Sequence, residues 1–191
     1  SNAVQANFET FGANGNVDLY LRHGVPLPTE SVFDAASVNG GAANEMIILV
    51  TNALSLPVVL APGDWYLAVV NRDPGPVSYA VRATQFIIDD GSGTSGFVKR
   101  LQAGDCQSRT NAGAGAPGSP AIDYYVFNVT NGAVRAQFEL FGLGGDLTLL
   151  VSHGVPLPTL TNYDGISANP GLREEIITIR ADFTNALQLT S

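Results

Sequence analysis

Set against itself at an offset of 130, the chain aligns residues 4–49 with 134–179 without a gap, and 21 of the 46 positions are identical. That self-similarity limits what the 191 residues can become, because both copies must make the same kind of fold. The anchors are Phe8-Glu9 with Phe138-Glu139, Phe11-Gly12 with Phe141-Gly142, and His23-Gly24-Val25-Pro26-Leu27-Pro28-Thr29 with His153 to Thr159. Asp34 then matches Asp164, and Glu45 matches Glu175. A period of 130 far exceeds the repeat length of solenoids and propellers, so each copy is expected to hold its own core.

Within each copy the hydrophobic period is two. Val4, Ala6 and Phe8 alternate with Gln5, Asn7 and Glu9, and Val134, Ala136, Phe138 and Leu140 alternate with Arg135, Gln137 and Glu139. Such alternation marks half-buried strands. It recurs in Val17-Leu19-Leu21, Leu147-Leu149-Val151, Val77-Tyr79-Val81 and Tyr125-Phe127-Val129. Met46 to Val50 and Ile176 to Ile179 are apolar on both faces and read as central strands. Turn signals separate the strands at short intervals, including Pro62-Gly63-Asp64, Asp73-Pro74-Gly75-Pro76 and Asn131-Gly132, and no window reads as an amphipathic helix. The expectation is an all-β chain of two antiparallel β-sandwiches. Gly91 to Pro120, rich in Gly, Ala, Ser and Pro, reads as the linker, most strongly from about Gly104. The expected layout is 1–3 a scar of a cleaved expression tag, 4–90 the first copy, 91–120 the linker, and 121–191 the second copy.

Composition narrows the partners. Charged residues make up only 14% of the chain, and 17 acidic against 9 basic residues give a net charge of −8. That charge repels phosphate backbones and anionic lipid heads, so nucleic acid and membrane insertion are not expected. The single Cys106 excludes an internal disulfide and reads as an incidental thiol.

Specific motifs then carry a resemblance. One copy holds Asp123-Tyr124-Tyr125-Val126-Phe127, and both hold the Gly-x-x-x-Pro-Thr turn at Gly24 to Thr29 and Gly154 to Thr159. The first copy adds Asp18-Leu19-Tyr20-Leu21, Gly63-Asp64-Trp65-Tyr66-Leu67-Ala68-Val69 and Val77-Ser78-Tyr79-Ala80-Val81. This arrangement resembles the bacterial pre-peptidase C-terminal domain family. The resemblance implies a jelly-roll-like sandwich appended to secreted bacterial enzymes, without catalytic residues of its own. It also implies roles in secretion or in attachment to protein such as collagen or to polysaccharide, and calcium in some members. The expected function is therefore a non-catalytic module of a secreted or cell-surface protein, serving attachment, targeting or spacing. The alternative is the substrate-targeting part of a secreted hydrolase or peptidase whose active site lies outside this chain; a third reading is a structural adhesin repeat.

Neither copy matches the family pattern from end to end. The first has no counterpart of Asp123 to Val129, and the second none of Trp65 to Val70 or Val77 to Ala83. Unpaired sheet edges are a liability, so exchange of a strand between copies, or a homodimer, is expected to close one.

Candidate chemistry is sparse. His23 and His153 open the repeated turn, but no Gly-x-Ser-x-Gly elbow accompanies them, so loop capping is expected and no catalytic residue is assigned. Asp34, Glu45, Asp164 and Glu175 are the calcium candidates, since a hard cation wants several oxygen ligands. The dense D-x-D-x-D-G pattern is missing, so carboxylates closing turns are the simpler expectation, and no cofactor is assigned. On period-two strands Trp65 and Tyr125 fall on the core face, while Tyr66 and Tyr124 are left as surface aromatics for a binding platform. Asn128-Val129-Thr130 fits a glycosylation acceptor, a coincidence if the source is bacterial.

Overall fold

The computed structural model describes residues 3–51, 58–88, 98–104, 106–111, 113 and 121–181. Those residues contain twelve strands and no helix. The chain divides into two compact units, Ser1–Phe97 and Val98–Ser191.

In the first unit, β1 (Ala3–Phe11), β2 (Val17–His23), β3 (Ala35–Ser37), β4 (Glu45–Val50), β5 (Trp65–Asn71) and β6 (Ala80–Ile87) form two antiparallel sheets. One has the order β4-β1-β6 and the other β3-β2-β5. Period-two patterning makes them face each other. Ala6 and Phe8 of β1 lie opposite Leu49 and Ile47 of β4, while Leu19 and Leu21 of β2 lie opposite Val69 and Leu67 of β5. These side chains meet in one cluster, with Ala35, Val58, Leu60 and Trp65 packed against it. Leu19 and Leu21 are fully buried, the kind of site where truncation to Ala costs roughly 2–5 kcal/mol. The unit is β-sandwich-like, as its alternation requires.

The other face of β2 is buried too, although its residues are polar. Asp18 and Tyr20 are each only 5% exposed. The Tyr20 hydroxyl donates to Asp18 Oδ2 at 3.2 Å, and Arg72, just past β5, donates from Nε to the same oxygen at 2.5 Å and from Nη2 to the Tyr20 oxygen at 2.8 Å. Its Nη1 reaches Glu30, and the Phe33 ring tilts against Tyr20 at 5.2 Å. Burial of the Asp18 carboxylate is thus offset by a guanidinium and a phenol.

In the second unit, β9 (Arg135–Leu140) pairs with β12 (Glu175–Arg180), and β10 (Leu149–Val151) pairs with β11 (Gly165–Ser167). Registers follow the sequence offset: Phe8↔Ile47 becomes Phe138↔Ile177, and Leu19↔Ser37 becomes Leu149↔Ser167. The turn block is also the same in both units. Gly24 and Gly154 take φ of 72° and 75°, a left-handed break that L side chains resist; Gly24 directly follows β2, and Gly154 lies three residues past the end of β10. The Val25-Pro26 and Val155-Pro156 bonds are both cis. Residues 29 and 32 bridge as 159 and 162 do.

Three sequence expectations differ from the structure. β4 and β12 are not central: among the described residues each pairs with one strand, and Met46 and Ile176 are both 48% exposed. Their doubly apolar pattern leaves apolar side chains on the outer face. Val77 and Tyr79 precede β6 and are not in it, the connection being held by Ser78 and Asn14, whose backbone and side-chain groups hydrogen-bond. Within the stretch read as linker, β7 (Val98–Leu101) pairs with β8 (Tyr124–Phe127), and the pairing is parallel. Residues 102–123 give the chain length enough to return for a parallel partner. Asn111 donates to Asp123 Oδ2 at 3.0 Å, tying part of that return to the Asp-Tyr-Tyr strand. Thr184-Asn185-Ala186-Leu187, which repeats the sequence Thr51-Asn52-Ala53-Leu54, and 114–120 lie outside the described residues.

Candidate functional site

His23 is the last residue of β2 and Trp65 the first of β5, and the two are register partners. Their rings therefore meet, at 4.8 Å between centroids and tilted by 41°. The imidazole Nε2 lies 3.0 Å from the Pro62 carbonyl oxygen, an acceptor only, so Nε2 carries the proton of this bond. The indole Nε1 donates to Ala61 O at 3.0 Å. Gly63 permits this closeness: a Cβ there would lie 2.5 Å from His23 Nε2, and its φ is 130°.

Opposite stands the repeated turn. Asp34 Oδ2 accepts the backbone N–H of His23 at 2.7 Å, and the Asp34 N–H donates to Leu21 O at 2.9 Å, so the carboxylate pins the turn to the end of β2. With Phe33, Val58, Val59 and Ala61, these residues line a cleft of about 450 Å³. Phe33 is 44% exposed and Trp65 is half-buried, so the walls offer aromatic surface beside one exposed carboxylate and one imidazole.

The second unit repeats half of this arrangement. His153 N donates to Asp164 Oδ2 at 2.6 Å, and Tyr163 stands where the first unit has Phe33.

The calcium candidates separate into two pairs of roles. Asp34 and Asp164 fix the turn by the bonds just given. Glu45 and Glu175 are fully buried. Each carboxylate accepts the backbone N–H of Asn39 or Asn169, the side-chain amide of the same asparagine, and the hydroxyl of Ser37 or Ser167. Among the described residues no three His, Cys, Asp or Glu side chains are grouped to hold a metal ion.

Of the aromatics, Trp65 packs on the core with Leu67 and Val69 while also lining the cleft. Tyr66, Tyr124 and Tyr125 are half-buried, and Tyr79 is 44% exposed; none of the four lines the cleft. Cys106 is exposed.

Sequence reasoning missed Phe33, the hydrophobic wall at 58–61 and the Asp18–Tyr20–Arg72–Glu30 cluster. The aromatic at both 33 and 163 was the available signal for the first. Asp18, Tyr20 and Glu30 align with Thr148, Leu150 and Leu160, so the repeat could not mark the last. Compared with known protein families, with curated proteins and with solved structures, the chain matches none of them.

Proposed function

We propose that the chain is a non-catalytic attachment module, built of two homologous jelly-roll-like copies, from a secreted or cell-surface bacterial protein. The cleft beside Trp65 carries this reading. Ligand sites are concave and furnished with a few placed polar groups, and this open cleft sets two aromatic rings beside a carboxylate. Aromatic faces take the C–H face of a sugar ring, and a carboxylate accepts its hydroxyl protons. A net charge of −8 favours a neutral saccharide over an anionic one. The lining residues contain no hydroxyl or thiol nucleophile, and the imidazole proton and the indole N–H are already engaged with carbonyls, so binding fits the groups better than catalysis.

Trp65 is the sole tryptophan, so its fluorescence reports directly on the cleft. Neutral oligosaccharides of the chitin and cellulose types, and a triple-helical collagen peptide, are titrated while the emission is followed. A saturable shift with a saccharide, weakened about tenfold by Phe33→Ala, is expected, equivalent to about 1.4 kcal/mol of lost contact. Silence toward every saccharide at millimolar concentration overturns the reading, and a response to the collagen peptide alone replaces the saccharide by a protein ligand.

A further inference from the structure

Strand β1 of the first unit is flanked on both sides, by β4 and β6, whereas its counterpart β9 is hydrogen-bonded among the described residues to β12 alone. The direction of its free groups follows from the register. Val134 O accepts the N–H of Ala181 at 3.1 Å, as Val4 O accepts that of Thr51 at 3.2 Å. Backbone groups alternate sides along a strand, so Arg135, Gln137 and Glu139 direct their N–H and C=O away from β12. The same three residues expose their side chains on the outer face, in a row where Arg135 donates to Gln137 at 2.5 Å and Gln137 donates to Glu139.

Charge in that row is arranged about a centre. Arg135 and Glu139 sit two residues to either side of Gln137. In the first unit, the residue matching Glu139 is Glu9, and the strand that covers it places Arg82 directly opposite, with Nε 2.9 Å from Glu9 Oε2. An arginine across the edge is thus what this glutamate position takes.

We propose that β9 joins β9 of a second copy of this chain, antiparallel and about a two-fold axis through Gln137, which extends the β9–β12 sheet across the dimer. In that register Arg135 faces the partner's Glu139 and Glu139 faces the partner's Arg135, so both charges meet twice. On the inner face Ala136 lies opposite the partner's Phe138, small against large, and the 74% exposed Val134 lies opposite the partner's Leu140. The outward backbone groups of residues 135, 137 and 139 become the hydrogen-bonded pairs, as antiparallel geometry demands. Centring on Ala136 or Phe138 instead pairs Arg135 or Glu139 with a neutral glutamine, so the charges select one register. Edge strands that stay single commonly carry like charges that repel a second copy, whereas this one is self-complementary.

The test is the mass of the full chain by sedimentation equilibrium over a concentration series, for the native sequence, Arg135→Glu, Glu139→Arg and the double exchange. The native chain, 19.9 kDa as a monomer, is expected to form dimers. Each single variant places like charges opposite twice and weakens association by about tenfold or more, and the double exchange restores opposite charges and native affinity. Both side chains are exposed, so a thermal melt by circular dichroism checks that each variant folds. A chain that stays monomeric at every concentration overturns the proposal. So does a dimer indifferent to the single exchanges, or one that the double exchange fails to restore.

Discussion

The carboxylate of Glu45, fully buried, accepts the backbone N–H of Asn39 at 2.9 Å, and Glu175 accepts that of Asn169 at 2.8 Å. In each unit the glutamate begins a strand and ties back the loop that leads into it, because Ser37 and Ser167 end the preceding strand. A buried carboxylate is tolerable only when its lone pairs are met by donors, and the hydroxyl and amide supply them.

Removing that acceptor is expected to be costly. Glu45→Ala strands a hydroxyl, a backbone N–H and a side-chain amide together, and the first unit should lose about 3 kcal/mol. Glu45→Gln keeps an acceptor oxygen and should lose less. Urea unfolding midpoints check both, and Glu175→Ala should destabilise the second unit in the same way.

Calcium is expected to leave the thermal midpoint unchanged. Both oxygens of Glu45 and Glu175 already accept protein donors, and one oxygen of Asp34 and of Asp164 holds a backbone N–H. A ligand that binds only the folded state must raise its stability by mass action, so melts in calcium and in chelator should superimpose. A rise of several degrees would place ligands outside these four carboxylates or require their bonds to be exchanged for the ion.

Much of the fold was legible because alternation states which face of a strand is buried. Phe8, Leu19, Leu21 and Leu67 fall in the core where that pattern put them, and Asp34 closes its turn as a repeated aspartate should. Alternation does not state a strand's neighbours. Met46 to Val50 is apolar on both faces and still pairs, among the described residues, with β1 alone, and Val98–Leu101 forms a strand although four residues beside glycines carry little pattern. The cleft was hidden for a different reason: the strand period assigned Trp65 to the core, and nothing in that period shows that the first residue of a strand also faces the gap beside His23.

Gly63→Ala should disturb that gap. The added methyl would lie 2.5 Å from His23 Nε2, and a φ of 130° strains any side chain, so the imidazole must leave the Pro62 carbonyl. The backbone strain costs roughly 1–3 kcal/mol. Displacing His23 also removes the ring against Trp65, so the expected readout is a changed tryptophan emission along with a lower melting temperature. Native emission in a folded variant would show that His23 does not hold the indole.

Alkaline pH should weaken the first unit through Tyr20. Burial is the main cause that raises its phenol above the ordinary 10.0, with the Asp18 charge and hydrogen bond adding to it and Arg72 opposing. Asp18, in turn, holds the Arg72 guanidinium charged beyond its usual range, so the arginine stays a cation while the phenol titrates. A group whose folded pKa is raised binds its proton more tightly in the folded state. Its contribution is therefore complete below the unfolded value of 10.0 and is lost as pH climbs through the folded one. Unfolding free energies from about pH 8 to about pH 11.5 should fall across the upper part of that range for the native chain, while Tyr20→Phe, less stable at neutral pH for want of its two hydrogen bonds, should fall less steeply. Parallel curves for the two proteins would mean that the phenol ionises as readily in the folded unit as in the unfolded chain, and that the bond to Asp18 does not hold its proton.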